Sequence, residues 1–156
     1  MRIHLISVGT RMPAWVSEAY EDFAKRLPHE CRLQLHEVAA GKRTKTSDTK
    51  RIIKEEGQRM LALVPKSVLC IALDVTGKQY SSEQLAETLL DWMADGRDIA
   101  LLVGGADGLS AECLQRASFS LSLSKLTMPH MLVRVVLAEQ IYRAWSIGRG
   151  LPYHRA

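Results

Sequence analysis

The chain lacks several features that would place it among membrane, disulfide-stabilised or metal-binding proteins. No run of apolar residues approaches the ~20 residues that a membrane-spanning helix needs. Cysteine occurs only at Cys31, Cys70 and Cys113, an odd number without a Cys-x-x-Cys pair, so we expect buried, reduced thiols in a cytoplasmic protein. The five histidines are never four residues apart, and we therefore expect no metal site.

Three common catalytic and nucleotide-binding signatures are also absent. Residues 104–108 read Gly-Gly-Ala-Asp-Gly rather than Gly-x-Gly-x-x-Gly, and no Gly-Lys-Ser/Thr follows a glycine-rich loop. The chain also has no Gly-x-Ser-x-Gly elbow, and none of its thiols has an adjacent base. These absences argue against a dinucleotide-dependent oxidoreductase, a P-loop nucleotidase and a serine or cysteine hydrolase.

Short apolar segments alternate with segments of helical periodicity along the whole chain. This alternation predicts an α/β fold with a mostly parallel sheet and flanking helices. The 156 residues show no linker, composition shift or internal repeat, so we expect one domain over residues 1–156. Residues 1–9 favour a first strand rather than a signal peptide. The predicted strands cover residues 3–8, 33–38, 68–74, 99–103 and 119–123, and the last helix begins near residue 131.

The positive charge is concentrated in one segment. The formal net charge is +4, and residues 41–54 alone carry six Lys or Arg residues against one Asp. A cationic segment on a nearly neutral body is typical of a phosphate-binding patch, and we interpret Lys42, Arg43 and Lys45 as contacts to a polyanion. The alternative is a solvated loop that leads into a helix.

Three of the predicted strands end in unusual residues. The strand at 68–74 ends with Leu73 and Asp74, and the strand at 99–103 is followed by Gly104 and Gly105. The strand at 119–123 leads into the segment 123–129. In an open α/β sheet, ligands bind beyond the carboxyl ends of the strands. Adjacent glycines allow a ligand to approach the backbone, although most such pairs only make a turn. The sequence therefore predicts a nucleoside-sized ligand held by backbone groups at this edge.

The carboxyl-terminal tail carries three chemically versatile side chains in consecutive positions. Tyr153, His154 and Arg155 supply a phenol, an imidazole and a guanidinium. A chain terminus is usually frayed and chemically idle, so a solvated end is the alternative. We interpret the three residues as a tail that closes over a bound molecule.

A set of motifs in one order covers nearly the whole chain. They are Gly-Lys-Arg at 41–43, Leu-Asp at 73–74, Gly-Arg-Asp at 96–98, Gly-Gly-x-x-Gly at 104–108, Ser-Leu-Ser-x-Leu-Thr-Met-Pro-His at 122–130, Leu-Val-Arg-Val at 132–135, Glu139, Tyr-Arg-Ala-Trp-Ser at 142–146 and Pro-Tyr-His-Arg at 152–155. This pattern resembles the RlmH family, the bacterial 23S ribosomal RNA pseudouridine N3-methyltransferases of the SPOUT class. The departures are small: Ala106 and Asp107 stand where Pro-Glu is commoner, and Met128 where Leu is usual.

The resemblance implies a SPOUT fold with a carboxyl-terminal trefoil knot, a homodimer and S-adenosylmethionine as cofactor. It also implies that the substrate is a pseudouridine in helix 69 of 23S rRNA in the large subunit or the assembled ribosome. Arg143 becomes a further candidate RNA contact, although Glu139 four residues earlier also predicts an ion pair. The implied cofactor contacts are Leu73, Gly105, Leu123, Ser124, Lys125, Leu126, Thr127 and Met128.

The acceptor chemistry suggests roles for the tail. The N3 atom of pseudouridine must lose its proton before it can attack a methyl group, and a neutral imidazole can accept that proton. We assign this step to His154 and the stabilisation of negative charge on the ring carbonyls to Arg155. Tyr153 would stack on or hydrogen-bond the base, or orient the methionine part of the cofactor, and the proton could instead leave to water. A non-catalytic ribosome-binding module is the alternative function.

Overall fold

A computed structural model describes residues 1–155 as one five-stranded parallel sheet with helices on both faces. The strand order is β2-β1-β4-β3-β5, and every neighbouring pair is parallel, which confirms the predicted α/β class. The strands are β1 Arg2–Val8, β2 Arg32–Val38, β3 Leu69–Gln79, β4 Ile99–Val103 and β5 Phe119–Ser122. The helices are α1 Ala14–Ala24, α2 Thr49–Ala62, α3 Ser82–Asp95, α4 Ala111–Arg116 and α5 His130–Gly148.

Local capping chemistry explains where three of the helices begin. The Asp48 carboxylate accepts the Arg51 backbone N–H at the start of α2, and the Ser110 hydroxyl accepts the Cys113 N–H at the start of α4. Ser81 and Gln84 form a reciprocal capping box at the start of α3, which is the structure that the sequence pattern Ser-x-x-Gln predicts. Helix α3 ends at Gly96, whose φ of 75° is the left-handed conformation that glycine adopts at low cost.

Strand β3 differs from the sequence prediction because it continues beyond Asp74 to Gln79. Its pairing with β5 shifts register between Leu73 and Lys78, so the intervening residues bulge out of the ladder. Gly77 makes this possible, since a Cβ atom there would lie 2.7 Å from the Ser120 backbone. The bulge carries Asp74 and Val75 to the rim of the sheet, where the pocket described below lies.

The apolar spacing from Trp15 to Leu27 predicts a helix that buries Trp15 and ends at Pro28, and the sequence also predicts Trp92 and Trp145 in the core. All three predictions are wrong in detail. Helix α1 ends at Ala24, four residues before Pro28. Lys25 caps it, and its backbone N–H donates to the Glu21 carbonyl. Trp15 does not belong to the buried stripe of α1 and is 54% exposed. Trp92 and Trp145, which the sequence placed in the core, are only half-buried and pack against its edge.

The sheet separates two apolar layers. Helices α1, α3 and α5 cover one face, where Leu5, Ile71 and Leu101 lie among the buried residues. Helices α2 and α4 cover the other, where Ile6 and Leu102 are fully buried. The three cysteines are buried and free, as predicted. Among residues 1–155, no helix combines the length and apolar character needed to cross a membrane.

Candidate functional site

A pocket of about 800 Å³ lies beyond the carboxyl ends of β3, β4 and β5. This volume lies within the range of small-molecule sites, and the position is where open α/β sheets bind ligands. Its walls are mostly apolar, and its polar lining includes Asp74, Ser124 and His130. Leu126 at the rim is 76% exposed and Val75 is 46% exposed, so both present apolar surface that a flat ligand would cover.

The pocket brings together almost all the residues that the sequence assigned to the cofactor. Lys125 is exposed and does not line the pocket, although both of its neighbours do. Hydrogen bonds shape the loop after β5: the Ser122 hydroxyl donates to the Ser124 carbonyl, and the Ser124 hydroxyl accepts the Leu126 N–H. The predicted cofactor residues on the lining are Leu73, Gly105, Leu123, Ser124, Leu126, Thr127 and Met128.

The two glycines after β4 serve the loop itself rather than the approach of a ligand. A Cβ atom at Gly104 would collide with the backbone of Gly108. A Cβ atom at Gly105 would lie 3.0 Å from a methyl group of Val8 and 3.4 Å from the Glu56 carboxylate. A side chain at either glycine would point into the protein and not toward the pocket. The geometry therefore supports the alternative that the two glycines only form the turn. Gly105 reaches the pocket through its backbone.

A buried carboxylate close to this glycine loop is linked to it through Arg43. Glu56 on α2 is only 2% exposed and accepts the Gly41 backbone N–H at 2.8 Å. The Arg43 guanidinium donates to both Glu56 oxygens, each at 3.0 Å, and its Nε donates to Asp107 at 2.8 Å. These hydrogen bonds raise the pKa of Arg43 above its usual range, chiefly through Glu56. Arg43 therefore connects the basic segment to the pocket loop.

Among the predicted polyanion contacts, Arg43 differs from its neighbours because its guanidinium is already paired. Lys42 and Lys45 are exposed, whereas the charge of Arg43 is already balanced by two carboxylates. We keep Lys42 and Lys45 as proposed phosphate contacts and assign Arg43 to the positioning of the loop. Arg143 is likewise paired, since its guanidinium donates to Glu139 at 2.7 and 3.0 Å.

His130, the first residue of α5, lines the pocket but had no role in the sequence analysis. Burial, followed by the positive charge of Arg134, holds the pKa of His130 below its usual value. Arg134 is 1% exposed and anchors the helix by donating to Glu37 at 2.8 Å and to the Gly9 carbonyl at 3.1 Å. The pocket therefore contains an imidazole whose neutral form is favoured, on a helix start that Arg134 ties to β1 and β2.

The tail is ordered and packs against α5 instead of fraying. The Tyr153 hydroxyl donates to Glu139 at 2.9 Å, and its ring meets Tyr142 edge-on at 4.7 Å between centroids. His154 is exposed, and its Nδ1 lies 2.8 Å from the Leu151 carbonyl. A carbonyl can only accept, so Nδ1 is the donor, and Nε2 carries the lone pair whenever the imidazole is neutral. Arg155 is exposed as well.

The structure does not bring the tail to the pocket of the same chain. The pocket lining on α5 ends at Val133, and the tail packs around Glu139 and Arg143, about 9 to 15 Å further along the helix axis. Tyr153, His154 and Arg155 therefore form a second cluster, separate from the predicted cofactor residues within one chain.

Two residues that the sequence analysis missed hold the site together. Glu56 has the spacing of a buried residue, four positions from Ile52 and four from Met60 on the apolar face of α2, and that signal was available. Asp107 gave no such signal, because its importance depends on Arg43, which is 64 residues away in the chain. Among residues 1–155, no group of three metal-ligating side chains comes together.

Comparisons with known proteins agree with this geometry. The family model described as "Predicted SPOUT methyltransferase" matches residues 1–154. A protein from Methylococcus capsulatus, named Ribosomal RNA large subunit methyltransferase H, is 57% identical over 155 residues, or 99% of this chain and 100% of that protein. A protein of the same name from Thioalkalivibrio sulfidiphilus is 58% identical over 155 residues, 99% of each chain. The structure of a methylase family protein from Haemophilus influenzae is similar in fold, with a TM-score of 0.54 at 15% identity over 96% of this chain and 67% of that one.

The parallel sheet and the pocket at its carboxyl edge define an α/β protein with a candidate ligand site at the sheet edge. The chain belongs to the SPOUT methyltransferase family, and within it to the RlmH family. The resemblance that the sequence motifs indicated is thereby confirmed.

Proposed function

We propose that this protein is an S-adenosylmethionine-dependent methyltransferase that acts on N3 of a pseudouridine in helix 69 of 23S rRNA in the assembled ribosome. The observation that carries the proposal is the pocket at the sheet edge, lined by the residues that the family resemblance assigns to the cofactor. The names of the two curated relatives support large-subunit ribosomal RNA as the substrate. The chain acts as one domain, and it acts in the cytoplasm because its substrate is the ribosome.

The residues present in the pocket fit S-adenosylmethionine. Leu126 and Val75 offer exposed apolar surface for the adenine ring, and the backbone at Leu73, Gly105 and Met128 can hydrogen-bond its polar edge. When bound, the cofactor supplies a methyl group on a sulfonium centre. Because the transfer is an in-line displacement, the main task of the pocket is to hold the reacting atoms in position.

The tail supplies the groups that activate the acceptor. His154 donates its Nδ1 proton to the Leu151 carbonyl, so Nε2 is the atom that accepts the proton from N3. Arg155 stabilises the negative charge that spreads onto the neighbouring ring carbonyls. Tyr153 is held by Glu139 and forms the aromatic floor against which the base stacks.

The separation of pocket and tail favours a homodimer in which each active site is shared. Helix α5 holds the tail about 9 to 15 Å along its axis from Val133, the last pocket residue of its own chain. A second copy can place its tail over that pocket without unfolding either cluster. The trefoil knot that the family resemblance implies stays a prediction.

Mixed dimers test whether the active site is shared. His154→Ala removes the proposed base, and Thr127→Arg puts a cation into the pocket at an exposed position that the fold tolerates. Each variant alone should be inactive, whereas co-expressed chains should recover activity, because a mixed dimer contains one pocket and one tail that are both intact. Single-turnover methylation of ribosomes measures the recovery. A mixture that stays inactive while mixed dimers form would contradict the shared site.

The experiment that tests the proposed function combines purified protein, methyl-labelled S-adenosylmethionine and ribosomes from cells that lack this modification. We expect label in 23S rRNA at one pseudouridine of helix 69, located by nuclease digestion and mass spectrometry. Titration calorimetry with the cofactor distinguishes the alternative, since a non-catalytic ribosome-binding module would bind ribosomes without binding S-adenosylmethionine.

Replacing Lys42 and Lys45 with alanine should weaken ribosome binding through the loss of phosphate contacts. Each contact that is lost should flatten the plot of log affinity against log salt by a slope of roughly 0.7 to 0.9. Cofactor affinity should stay the same, because neither side chain lines the pocket. Filter binding of ribosomes over a range of salt concentrations provides the measurement, and an unchanged slope would show that the segment is only a solvated loop.

A further inference from the structure

Arg43 lies at the junction between two surfaces that the proposed function uses separately. Its chain neighbours Lys42 and Lys45 are exposed in the basic segment, and its guanidinium contacts Asp107 in the pocket loop. Asp107 itself lines the pocket. One side chain therefore spans the distance from the proposed RNA-binding surface to the proposed cofactor site.

The contacts of Arg43 use both edges of its planar guanidinium. One edge donates to the two oxygens of buried Glu56, and Nε donates to Asp107 at 2.8 Å. Arg43 also donates to the Gly41 carbonyl at 3.1 Å, which fixes the backbone at the start of the basic segment. Such a fork holds two carboxylates in a fixed geometry, which the point charge of a lysine cannot do.

Glu56 ties Arg43 to the start of the basic segment. Its carboxylate is buried and accepts the Gly41 N–H as well as the Arg43 guanidinium. Asp107, by contrast, belongs to a loop between β4 and α4, and its side chain is 38% exposed. The Arg43–Asp107 pair is therefore a direct contact between the pocket loop and the basic segment.

We propose that Arg43 is a positioning residue that couples the binding of cofactor to the binding of RNA. A cofactor that contacts the loop of Asp107 orders that loop and, through Arg43, the backbone that carries Lys42 and Lys45. RNA that binds afterwards then loses less conformational entropy, which gives positive cooperativity without a large structural change. The inference rests on the proposed function and adds a regulation of its two binding steps.

The coupling is reciprocal, so either ligand reports it. Couplings between two sites of a protein typically change affinity five-fold to 150-fold, and we expect an effect of about five-fold or more. S-adenosylhomocysteine serves as the probe in place of the cofactor, because it lacks the transferable methyl group and no reaction disturbs the equilibrium. The quantity measured is the ratio of ribosome affinities with and without this probe.

Asp107→Asn tests the proposal without disturbing the buried pair of Arg43 and Glu56. The variant keeps the shape of the side chain but removes the charge that attracts Nε of Arg43. Ribosome affinity in the presence of S-adenosylhomocysteine should fall toward the value in its absence, so that the ratio approaches one. Asp107→Glu restores the carboxylate and should restore the ratio, which a purely steric role would not require.

A matched control removes a cation from the same segment without touching the pocket loop. Arg51 pairs with Glu55 at 3.0 Å on the exposed side of α2, and neither residue lines the pocket. Arg51→Met should lower ribosome affinity slightly but leave the ratio at its wild-type value. Equal losses of the ratio in Arg51→Met and Asp107→Asn would overturn the assignment to Arg43.

The outcomes separate this inference from the function on which it rests. Wild-type protein that binds both ligands and methylates the ribosome with a ratio near one would overturn the coupling and leave the proposed function intact. Wild-type protein that binds neither ligand would overturn both. A ratio that survives in Asp107→Asn would place the coupling elsewhere and contradict the role of Arg43.

Discussion

Replacing His154 with alanine is expected to reduce single-turnover methylation of ribosomes by about 10² to 10⁴, the usual contribution of a general base. This range corresponds to roughly 2.7 to 5.4 kcal/mol of activation free energy. The reason is geometric as well as chemical, because the Leu151 carbonyl fixes the proton on Nδ1 and directs the free lone pair of Nε2 outward. Cofactor affinity and the melting temperature should change little, since His154 is exposed and does not line the pocket of its own chain.

His154→Asn provides the matched control. The amide nitrogen of asparagine occupies the place of Nδ1 and can still donate to the Leu151 carbonyl, so the local turn is kept while the base is lost. We expect this variant to be as slow as His154→Ala. If His154→Asn instead methylates at the wild-type rate, the imidazole serves only to hold the tail, and the proton leaves by another route.

Replacing Arg43 with methionine is expected to lower the free energy of unfolding by about 3 kcal/mol, near the lower end of the cost of orphaning a buried charge. Methionine matches much of the stem of arginine but leaves the 2% exposed carboxylate of Glu56 with only the Gly41 N–H as a partner. Urea denaturation of the purified protein measures the loss. Asp107→Asn should cost about 1 kcal/mol or less, because that carboxylate is partly exposed and its pair is weak in water.

The double variant Arg43→Met with Glu56→Gln identifies the cause of this loss. Glutamine keeps an oxygen for the Gly41 N–H and removes the orphaned charge, so the double variant should be more stable than Arg43→Met alone. An equal or larger loss in the double variant would mean that packing, and not the unpaired carboxylate, sets the cost.

Features that depend on neighbouring residues could be predicted from the sequence. Three helix-end features involve residues within four positions of each other, so a short sequence pattern is enough to predict them. They are the capping box of Ser81 and Gln84, the Ser110 cap and the glycine end of α3. The alternation of strands and helices is likewise a local pattern. The pocket residues were predicted because parallel strands end at one edge of a sheet.

Features that depend on distant partners could not be predicted. The bulge in β3 arises from its pairing with β5, which begins some 40 residues later. The pairing of the Arg43 guanidinium depends on Asp107, which is also distant in the sequence. The separation of tail and pocket follows from the direction of α5 and from the bond between Tyr153 and Glu139, neither of which appears in spacing alone. The sequence indicated residues of both groups, but their separation into a pocket and a tail cluster required the fold.

Because all three native thiols are buried, a cysteine introduced at the surface can be labelled selectively in this protein. Burial raises the pKa of Cys31 to about 11 and raises the pKa of Cys70 and Cys113 as well, so the reactive thiolate is scarce at neutral pH. Maleimide reagents should therefore leave the native chain unmodified. A single cysteine introduced at an exposed position such as Lys66 would carry the only label, without removing any native residue of the core. Energy transfer between copies labelled with a donor and an acceptor would then test the proposed homodimer.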